Sequence, residues 1–332
     1  MSRLTDKYQS YLHFLGISFD QSTFTADPAE TGSKSFQGVT PATFDGFTQD
    51  GNQPPTIQTG VIPDQKYYEL EFDSTSTPNK NSRLLYGSTV SSVAGQFGDV
   101  RRTMWDSTPF DRVTGIWVKT PSQFGLNNAL IGGMRWTFGT QAIITIGLGK
   151  SNDLPAISIV HSTAELPTAS TNFYTSYTDQ NSNVVPIEWD KWYFVAVKKS
   201  VVETGGGGSP GSAMTGTLQY QHYINGELVN TVTTSNWTKR NVSAIIFGNN
   251  AAFTGTGAYK IGISSWFVAD WSDVTQTGLR DIYNYGAPIQ APVKHYNGTA
   301  WVDDIAPPKA YYNGAWRDIY ANRWTGSAWV PL

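Results

Sequence analysis

The feature that most constrains this chain is a β-hairpin signal at Asn225-Gly226. Polar and apolar residues alternate on both sides of this dipeptide, and Asn-Gly tolerates the positive φ angles that a two-residue hairpin turn requires. The hairpin lies within residues 189–286, where four β-type runs are followed by one short helical pattern. This order of elements predicts an antiparallel β-structure that a single helix completes.

Alternating runs also occur before and after the hairpin, separated by turn-forming residues. The run at 192–199 is the most apolar, so we expect it in the centre of a sheet. Residues 273–285 form the one clear helical pattern, with Asp273 or Thr275 as its cap and Gly286 at its end. We predict strands at 67–72, 112–119, 129–136, 141–148, 156–161, 192–199, 243–248 and 259–269.

Many short strands with little helix predict an all-β fold, an antiparallel sandwich. Residues 204–212 read TGGGGSPGS, which predicts a flexible loop tip between two strands. That loop is either a tolerated surface excursion or a functional loop.

The composition agrees with β-structure and excludes several functions. Charged residues make up 15% of the chain, against about 25% in average domains, while 12 Trp, 17 Tyr and 16 Phe favour strands. The net charge of −3 provides no basic surface, so nucleic acid is excluded as a partner. The absence of cysteine excludes disulfides and cysteine-based zinc sites, and it is typical of assembly in a reducing cytosol.

The N-terminal sequence lacks the apolar core of a signal peptide. No run approaches the ~18 apolar residues of a membrane span, so we expect none. A protein that works outside a cell would then leave it by another route, such as lysis.

Residues 1–66 differ from the strand-rich part that follows. The spacing of apolar residues in 1–20 predicts a short amphipathic helix, which either packs on its own domain or docks to a larger assembly. Its apolar residues are Leu4, Tyr8, Tyr11, Leu12 and Leu15. Pro and Gly interrupt residues 21–66, where isolated aromatics would anchor the segment to the same chain or to a neighbour. These aromatics are Phe24, Phe36, Phe44 and Phe47.

Residues 287–332 contain a repeat in which an aromatic residue, a Gly-containing turn and a Trp follow one another. The copies are spaced by roughly 12–16 residues, and each predicts a hairpin. One hairpin alone is marginal in water, so the three are expected to form a small β-module or to pack on a partner. The repeat-module aromatics are Tyr296, Trp301, Tyr312, Trp316, Trp324 and Trp329. We therefore divide the chain into an N-terminal attachment arm (1–66), a sandwich (67–286) and a repeat module (287–332).

The best catalytic candidate is an acidic strand. Alternation places Glu69, Glu71 and Asp73 on one face, as the acid and the nucleophile of a retaining glycosidase would be. The alternative interpretation is the solvent face of a strand whose other face is apolar. Metal chemistry has little support, because the histidines have no ligand partner at motif spacing. They are His13, His161, His222 and His295.

Glycan binding is chemically reasonable for a chain with many aromatic residues. The apolar face of a sugar stacks on exposed rings while polar side chains bind its hydroxyls. The candidates for carbohydrate binding are Asp99, Trp105, Asp106 and Trp271. Most tryptophans of a sandwich belong to its core, which is the alternative for each ring.

The span 67–286 resembles a concanavalin A-like (laminin G-like) jelly-roll domain. The resemblance rests on residues 189–197, the Asn225-Gly226 hairpin, residues 245–248 and the closing residues 279–286. In that family the last segment follows the final strand and often reads Leu-x-x-Ile-Tyr-x-x-Gly. The resemblance implies a jelly-roll sandwich and leaves function open, because the fold hosts lectins, adhesins, hydrolases and structural modules.

The same resemblance bears on catalysis and on calcium. Glucanases with this fold carry Glu-x-Asp-x-x-Glu, whereas this chain has Glu-x-Glu-x-Asp and no second Glu after it, which disfavours catalysis. Related domains often hold calcium through Asp and Asn oxygens, so calcium is the one cofactor considered. Turn formation is the alternative role for its candidate ligands. They are Asp99, Asp106, Asn249 and Asn250.

The repeats at 294–330 resemble the termini of bacteriophage structural proteins, especially tail and appendage proteins. This implies a non-enzymatic virion structural protein, in a tail, a fibre or a capsid decoration, made in the host cytoplasm and released by lysis. Its partners would be other virion proteins, and we expect a homo-oligomer, for which a trimer is the arrangement considered. Its sandwich would bind a host-surface glycan. The alternative is a glycan-active hydrolase on the same fold.

Overall fold

The computed structural model describes most of the sandwich and short segments at both ends. The described residues are 12–15, 48–49, 56–59, 66–76, 80–87, 110–122, 130–138, 141–207, 211–240, 244–248, 257–286, 293–296, 301–304, 309–312, 315–318, 322–324 and 329–331.

Up to the helix, the described strands are β1 (Leu12–Leu15), β2 (Thr48–Gln49), β3 (Thr56–Thr59), β4 (Lys66–Asp73), β5 (Lys80–Asn81), β6 (Arg83–Gly87), β7 (Phe110–Lys119), β8 (Leu130–Phe138), β9 (Gln141–Ser151), β10 (Leu154–His161), β11 (Ser170–Tyr174), β12 (Ser176–Thr178), β13 (Val184–Pro186), β14 (Trp192–Gly206), β15 (Ala213–Ile224), β16 (Glu227–Thr238), β17 (Ala244–Gly248) and β18 (Ala258–Asp270). The helix α1 (Trp271–Gly286) follows directly. Six short strands come last: β19 (Val293–Tyr296), β20 (Trp301–Asp304), β21 (Lys309–Tyr312), β22 (Ala315–Asp318), β23 (Asn322–Trp324) and β24 (Trp329–Pro331).

Two antiparallel sheets face each other. The helix-side sheet has the order β16-β15-β14-β7-β18-β4-β3, with β1 also paired to β18 and β5 to β4. The opposite sheet has the order β11-β10-β9-β8-β17-β6-β2. This arrangement confirms the predicted all-β antiparallel sandwich. The apolar run at 192–199 lies inside the helix-side sheet, between β15 and β7, as its composition predicts.

Alternation along the strands of the helix-side sheet builds two cores. In β7, Ile116 and Val118 point between the sheets, whereas Val113 and Trp117 point to the outer face. The inner core is completed by apolar residues of the opposite sheet, including Ile146 of β9. Burying both faces of β7 explains why Ile116, Trp117 and Val118 follow one another as a continuous apolar run.

The outer core lies under α1. Val274, Leu279 and Ile282 of this helix are buried against the outer face of the helix-side sheet, where they meet Trp117 and Phe194. The helix is longer than the pattern at 273–285 indicates. It is also interrupted at the proposed cap Thr275, whose φ of 56° and ψ of 178° are not helical.

The hairpin at Asn225-Gly226 joins β15 to β16 as predicted. The two residues have φ angles of 52° and 84°, the positive values that Asn-Gly accommodates. A Cβ on Gly226 would lie 2.8 Å from the backbone of Arg280, so glycine lets the turn approach α1 closely. Glu227 then binds Arg280 through two hydrogen bonds of 2.7 and 2.6 Å, which fixes the turn to the helix.

The prediction of a helix in residues 1–20 is wrong where the structure describes them. Residues 12–15 form β1, which pairs with residues 267–269 of β18. Strand β4 leaves that part of β18 free, since its pairing ends at Ile263. The four-residue spacing fits either a helix or a strand, and the open backbone groups of β18 select the strand. Other residues proposed for the arm lie outside the described residues: Leu4, Tyr8, Tyr11, Phe24, Phe36, Phe44 and Phe47.

Two further parts of the arm also pair with their own chain. Strand β2 pairs with β6, and β3 pairs with β4. The glycine-rich loop is shorter than predicted at its start, because β14 continues to Gly206, which pairs with Met214. The six described strands β19 to β24 pair in three two-stranded antiparallel sheets, as the repeat predicts. The boundaries of the three predicted domains stay a prediction.

Candidate functional site

Of the four carbohydrate-binding candidates, the structure describes only Trp271. Asp99, Trp105 and Asp106 lie outside the described residues, as do the other two calcium candidates, Asn249 and Asn250. Their roles stay predictions. Among the described residues no group of three or more His, Cys, Asp or Glu side chains is placed to hold a metal ion.

Trp271 is described, and it begins α1 with its side chain partly buried. Its ring lies 5.5 Å from the ring of Tyr223. The Lys198 ammonium lies 4.6 Å from its centroid and is itself 3.0 Å from Asp111. These neighbours occupy ring surface that a sugar would use. The carbohydrate role of Trp271 stays a prediction.

The acidic strand β4 has its carboxylates on the outer face of the helix-side sheet. Tyr68, Leu70 and Phe72 alternate with them and are fully buried between the sheets. Each carboxylate has a partner: Lys260 Nζ lies 2.7 Å from Glu69, Lys80 Nζ lies 2.8 Å from Glu71, and the Thr75 hydroxyl donates to Asp73 over 2.6 Å.

Hydrogen bonds from Thr75 and Ser76 hold the pKa of Asp73 below its usual value. The side-chain bond from Thr75 is the largest cause. A general acid of a glycosidase needs a raised pKa instead. The described partners of this strand therefore favour the solvent-face interpretation over catalysis.

An aromatic pair lies beside these acids, on the outer face beyond the residues that α1 buries. The rings of Tyr67 and Trp192 meet edge to face, with centroids 5.0 Å apart. Both side chains are partly exposed and pack against the outer core. We call this pair the Tyr67–Trp192 platform. Alternation along β4 predicts that Tyr67 and Glu69 lie on the same face of the sheet. Nothing in the sequence indicates that Trp192, on another strand, contacts Tyr67.

The register explains how Trp192 reaches Tyr67 across two strands. Trp192, Lys119, Gly262 and Glu69 lie side by side on β14, β7, β18 and β4. A Cβ on Gly262 would lie 2.6 Å from Cη2 of Trp192, so the indole occupies the space that a side chain would fill. Glycine at this position therefore allows the indole to lie across the sheet.

Four charged groups surround the platform. Lys119 Nζ lies 2.6 Å from Asp190, and Lys260 Nζ lies 2.7 Å from Glu69. Burial raises the pKa of Tyr67, and the charge of Lys119, the next largest influence, opposes this shift. The platform thus combines aromatic surface with both hydrogen-bond donors and acceptors.

A second polar group lies between the two sheets. His161 of β10 and His222 of β15 are buried, and their Nε2 atoms lie 2.7 Å apart. Tyr174 of β11 has its hydroxyl 2.7 Å from Nδ1 of His222. This His–His–Tyr cluster joins the opposite sheet to the helix-side sheet by hydrogen bonds.

The tautomers follow from the one atom of the cluster that has no hydrogen-bond partner among the described residues, Nδ1 of His161. Leaving a buried acceptor nitrogen without a hydrogen bond costs less free energy than leaving a buried N–H without one. We therefore assign the proton of His161 to Nε2, which donates to His222, and the proton of His222 to Nδ1, which donates to Tyr174.

Burial keeps both imidazoles neutral. It lowers the pKa of His222 to about 3. It also lowers the pKa of His161 well below its usual value, with further contributions from His222 and Lys199.

A buried ion pair adjoins the histidines. Lys199 Nζ donates to Glu165 over 2.5 Å, and the Tyr220 hydroxyl donates to the other oxygen of the same carboxylate. Burial lowers the pKa of Lys199, and the charge of Glu165 opposes that shift. The Tyr220 ring lies 4.2 Å from that of His161. Because these groups are buried and mutually paired, we interpret both clusters as structural.

The three C-terminal hairpins share one register. Tyr296 pairs with Trp301, and Trp324 pairs with Trp329. In the middle hairpin the partner of Trp316 is Tyr311, whereas Tyr312 pairs with Ala315. The repeat thus consists of an aromatic residue opposite a Trp five positions later, and Tyr312 belongs to the end of β21 instead.

No family model matches the sequence, and no curated protein sequence matches it. Solved structures of botulinum neurotoxins do match. One is that of botulinum neurotoxin type C, which depends on interaction with two ganglioside molecules to enter cells. It is 12% identical with a TM-score of 0.50, and the match covers 86% of this chain and 53% of that one.

Another is the binding domain of botulinum neurotoxin DC in complex with rat synaptotagmin II. It is 12% identical with a TM-score of 0.49, and the match covers 92% of this chain and 57% of that one. The chain thus spans little more than half the length of these structures. The similarity to the type C toxin supports a concanavalin A-like jelly-roll sandwich. At this identity it shows the fold alone. Among the described residues no helix has the length and apolar character of a membrane span.

Proposed function

We propose that this chain is a non-enzymatic structural protein of a bacteriophage virion that presents a lectin-like β-sandwich for adhesion to a host-surface glycan. It would belong to a tail, a fibre or a capsid-surface appendage and assemble as a homo-oligomer, for which we favour a trimer. It would be made in the host cytoplasm and released by lysis.

The observation that carries this proposal is the combination of a jelly-roll sandwich with three aromatic–Trp hairpins on one chain. The hairpins resemble the termini of bacteriophage structural proteins, especially tail and appendage proteins, and their shared register supports treating them as one repeat. The sandwich supports adhesion, since botulinum neurotoxin type C, which shares this fold, interacts with gangliosides. The absence of cysteine is compatible with assembly in a cytoplasm.

The hydrolase alternative has less support. Its best candidates, Glu69 and Glu71, are each paired with a lysine on one strand face, and Asp73 accepts hydrogen bonds within its own turn. A glycosidase needs two carboxyl groups flanking the scissile bond, one of them with a raised pKa.

Imaging and a glycan array test the two parts separately. Cryo-electron microscopy of purified phage particles should show density that fits the sandwich at a tail, fibre or capsid surface, and particles without such density would overturn the virion role. A printed array, probed with the multivalent protein, should show glycan binding, and its absence would overturn adhesion alone. Release of reducing sugar from bound oligosaccharides would instead establish the hydrolase.

A further inference from the structure

We propose that the Tyr67–Trp192 platform is a subsite for a neutral pyranose of the bound glycan. This inference rests on the adhesion function proposed above and gives it a place on the sandwich. The platform lies on the outer face of the helix-side sheet. None of its residues is among the carbohydrate candidates that the sequence indicates.

The aromatic part of the site is built into the sheet. The Trp192 indole lies against the backbone of Gly262, and the rings of Tyr67 and Trp192 meet edge to face. A sugar stacks its C–H face on such a ring, and a ring already held in place loses little entropy on binding. The glycine accounts for this placement, because a Cβ at residue 262 would lie 2.6 Å from the indole.

Charged side chains that can bind sugar hydroxyls lie around the two rings. Asp190 has a side chain that is 65% exposed and is 2.6 Å from Lys119. Its turn is fixed, since the N–H of Asp190 donates to the carbonyl of Pro121 and the N–H of Lys191 donates to the hydroxyl of Thr120. On the other side Lys260 is 58% exposed. Vicinal hydroxyls of a sugar match this alternation of acceptors and donors.

The charges select the class of sugar. Two cations, Lys119 and Lys260, are balanced by two anions, Asp190 and Glu69, each within 2.7 Å of its partner. A carboxylated or sialylated sugar would have to compete with both anions for the cations. A neutral hexose meets no like charge, so we assign the platform to neutral sugars.

The platform also differs from Trp271, the other described tryptophan considered for sugar binding. The Trp271 ring has a lysine ammonium 4.6 Å from its centroid and the Tyr223 ring 5.5 Å away. Trp192 instead has the empty side-chain position of Gly262 beneath it. The Tyr67 ring, with its centroid 5.0 Å from that of Trp192, covers part of this indole too, so the Trp271→Ala variant is tested beside Trp192→Ala.

The test uses the full chain on a printed array of glucose-, galactose- and mannose-terminated glycans alongside sialylated ones. The strongest neutral glycan is then titrated against five variants, of which Trp271→Ala tests the other tryptophan. Trp192→Ala and Tyr67→Ala remove the rings, and about tenfold weaker binding is expected for Trp192→Ala. Gly262→Ala keeps every side chain of the site but displaces the indole, and it should weaken binding as well. Leu154→Ser, which removes an exposed apolar side chain from the opposite sheet, is the control that should bind as the wild type does.

Circular dichroism and thermal unfolding establish that each variant is folded. If Trp192→Ala does not fold, the Gly262→Ala result decides. Neutral-glycan binding that is lost in the platform variants supports the inference. Unchanged binding in folded Trp192→Ala and Gly262→Ala overturns the subsite while adhesion stands, as would loss confined to Trp271→Ala. Binding restricted to sialylated glycans overturns the neutral assignment. No binding to any glycan by the wild type overturns adhesion and this inference, and leaves the virion role to imaging.

Discussion

His161 and His222, which are separated by 61 positions in the sequence, share a 2.7 Å hydrogen bond between the two sheets of the sandwich. Both are buried, and burial disfavours the charged form of each ring, so a neutral donor faces a neutral acceptor. The bond therefore couples the packing of the two sheets to pH.

We expect the free energy of unfolding to fall as the pH drops below about 6.5. The unfolded chain protonates these histidines near the usual pKa of 6.5, whereas folded His222 does so near a pKa of about 3. Between these values the unfolded state binds more protons, so the stabilisation is complete above pH 6.5 and is lost toward pH 3. Each histidine contributes a slope of at most about 1.4 kcal/mol per pH unit.

Urea denaturation between pH 7.5 and roughly pH 4.5 measures this slope. The His161→Gln/His222→Gln variant should show a shallower dependence on pH, because its carboxylates still titrate while the buried imidazoles are gone. Equal slopes for the two proteins would contradict the assignment.

The buried pair of Glu165 and Lys199 should be costly to break from one side. Glu165→Leu leaves the Lys199 ammonium buried without its partner, and we expect a loss of about 3–5 kcal/mol in denaturant unfolding. The triple variant Glu165→Leu/Lys199→Met/Tyr220→Phe removes every polar end of the cluster and should recover part of this loss. Lys260→Met, which breaks an exposed pair, is the control and should cost at most about 1 kcal/mol. A small loss in Glu165→Leu would show that water or another group reaches Lys199.

The hairpin turn should be sensitive to a single methyl group. Gly226→Ala combines a strained φ of 84° with a Cβ 2.8 Å from the backbone of Arg280. Gly211→Ala is the matched control, because its φ is 92° and the nearest atom would be 3.8 Å away. We expect the control to cost about 1 kcal/mol and Gly226→Ala to cost a further 1–3 kcal/mol or so. Thermal unfolding of the two variants gives the difference, and equal losses would mean that the close approach to α1 contributes nothing.

The hairpin register predicts which tyrosine stabilises the middle repeat. Tyr311 is opposite Trp316, whereas Tyr312 is opposite Ala315. Hydrogen exchange of residues 309–318 in the full chain should therefore be about two- to fivefold faster in Tyr311→Ala than in Tyr312→Ala, as expected for losing a cross-strand aromatic pair. The reverse order would contradict the observed register and favour Tyr312, which the sequence repeat indicates as the aromatic residue of this copy.

The sequence predicted the faces of the acidic strand β4 but not the structure of residues 12–15. Alternation correctly places Glu69 and Glu71 on the face opposite Tyr68 and Leu70, because a period of two is a property of the strand alone. The same reasoning fails for residues 12–15. So short a segment fits either period, and the unpaired edge of β18 decides its structure.

The sequence by itself determined most of the long strands of the sandwich, the turn at Asn225-Gly226 and the helix after the last long strand, because alternation and turn chemistry act over a few neighbouring residues. Only the tertiary structure decided that His161 meets His222, that Glu165 meets Lys199, and that Trp192 crosses two strands to reach Tyr67. These contacts depend on strand order and register, which bring distant residues together, and no local periodicity encodes them.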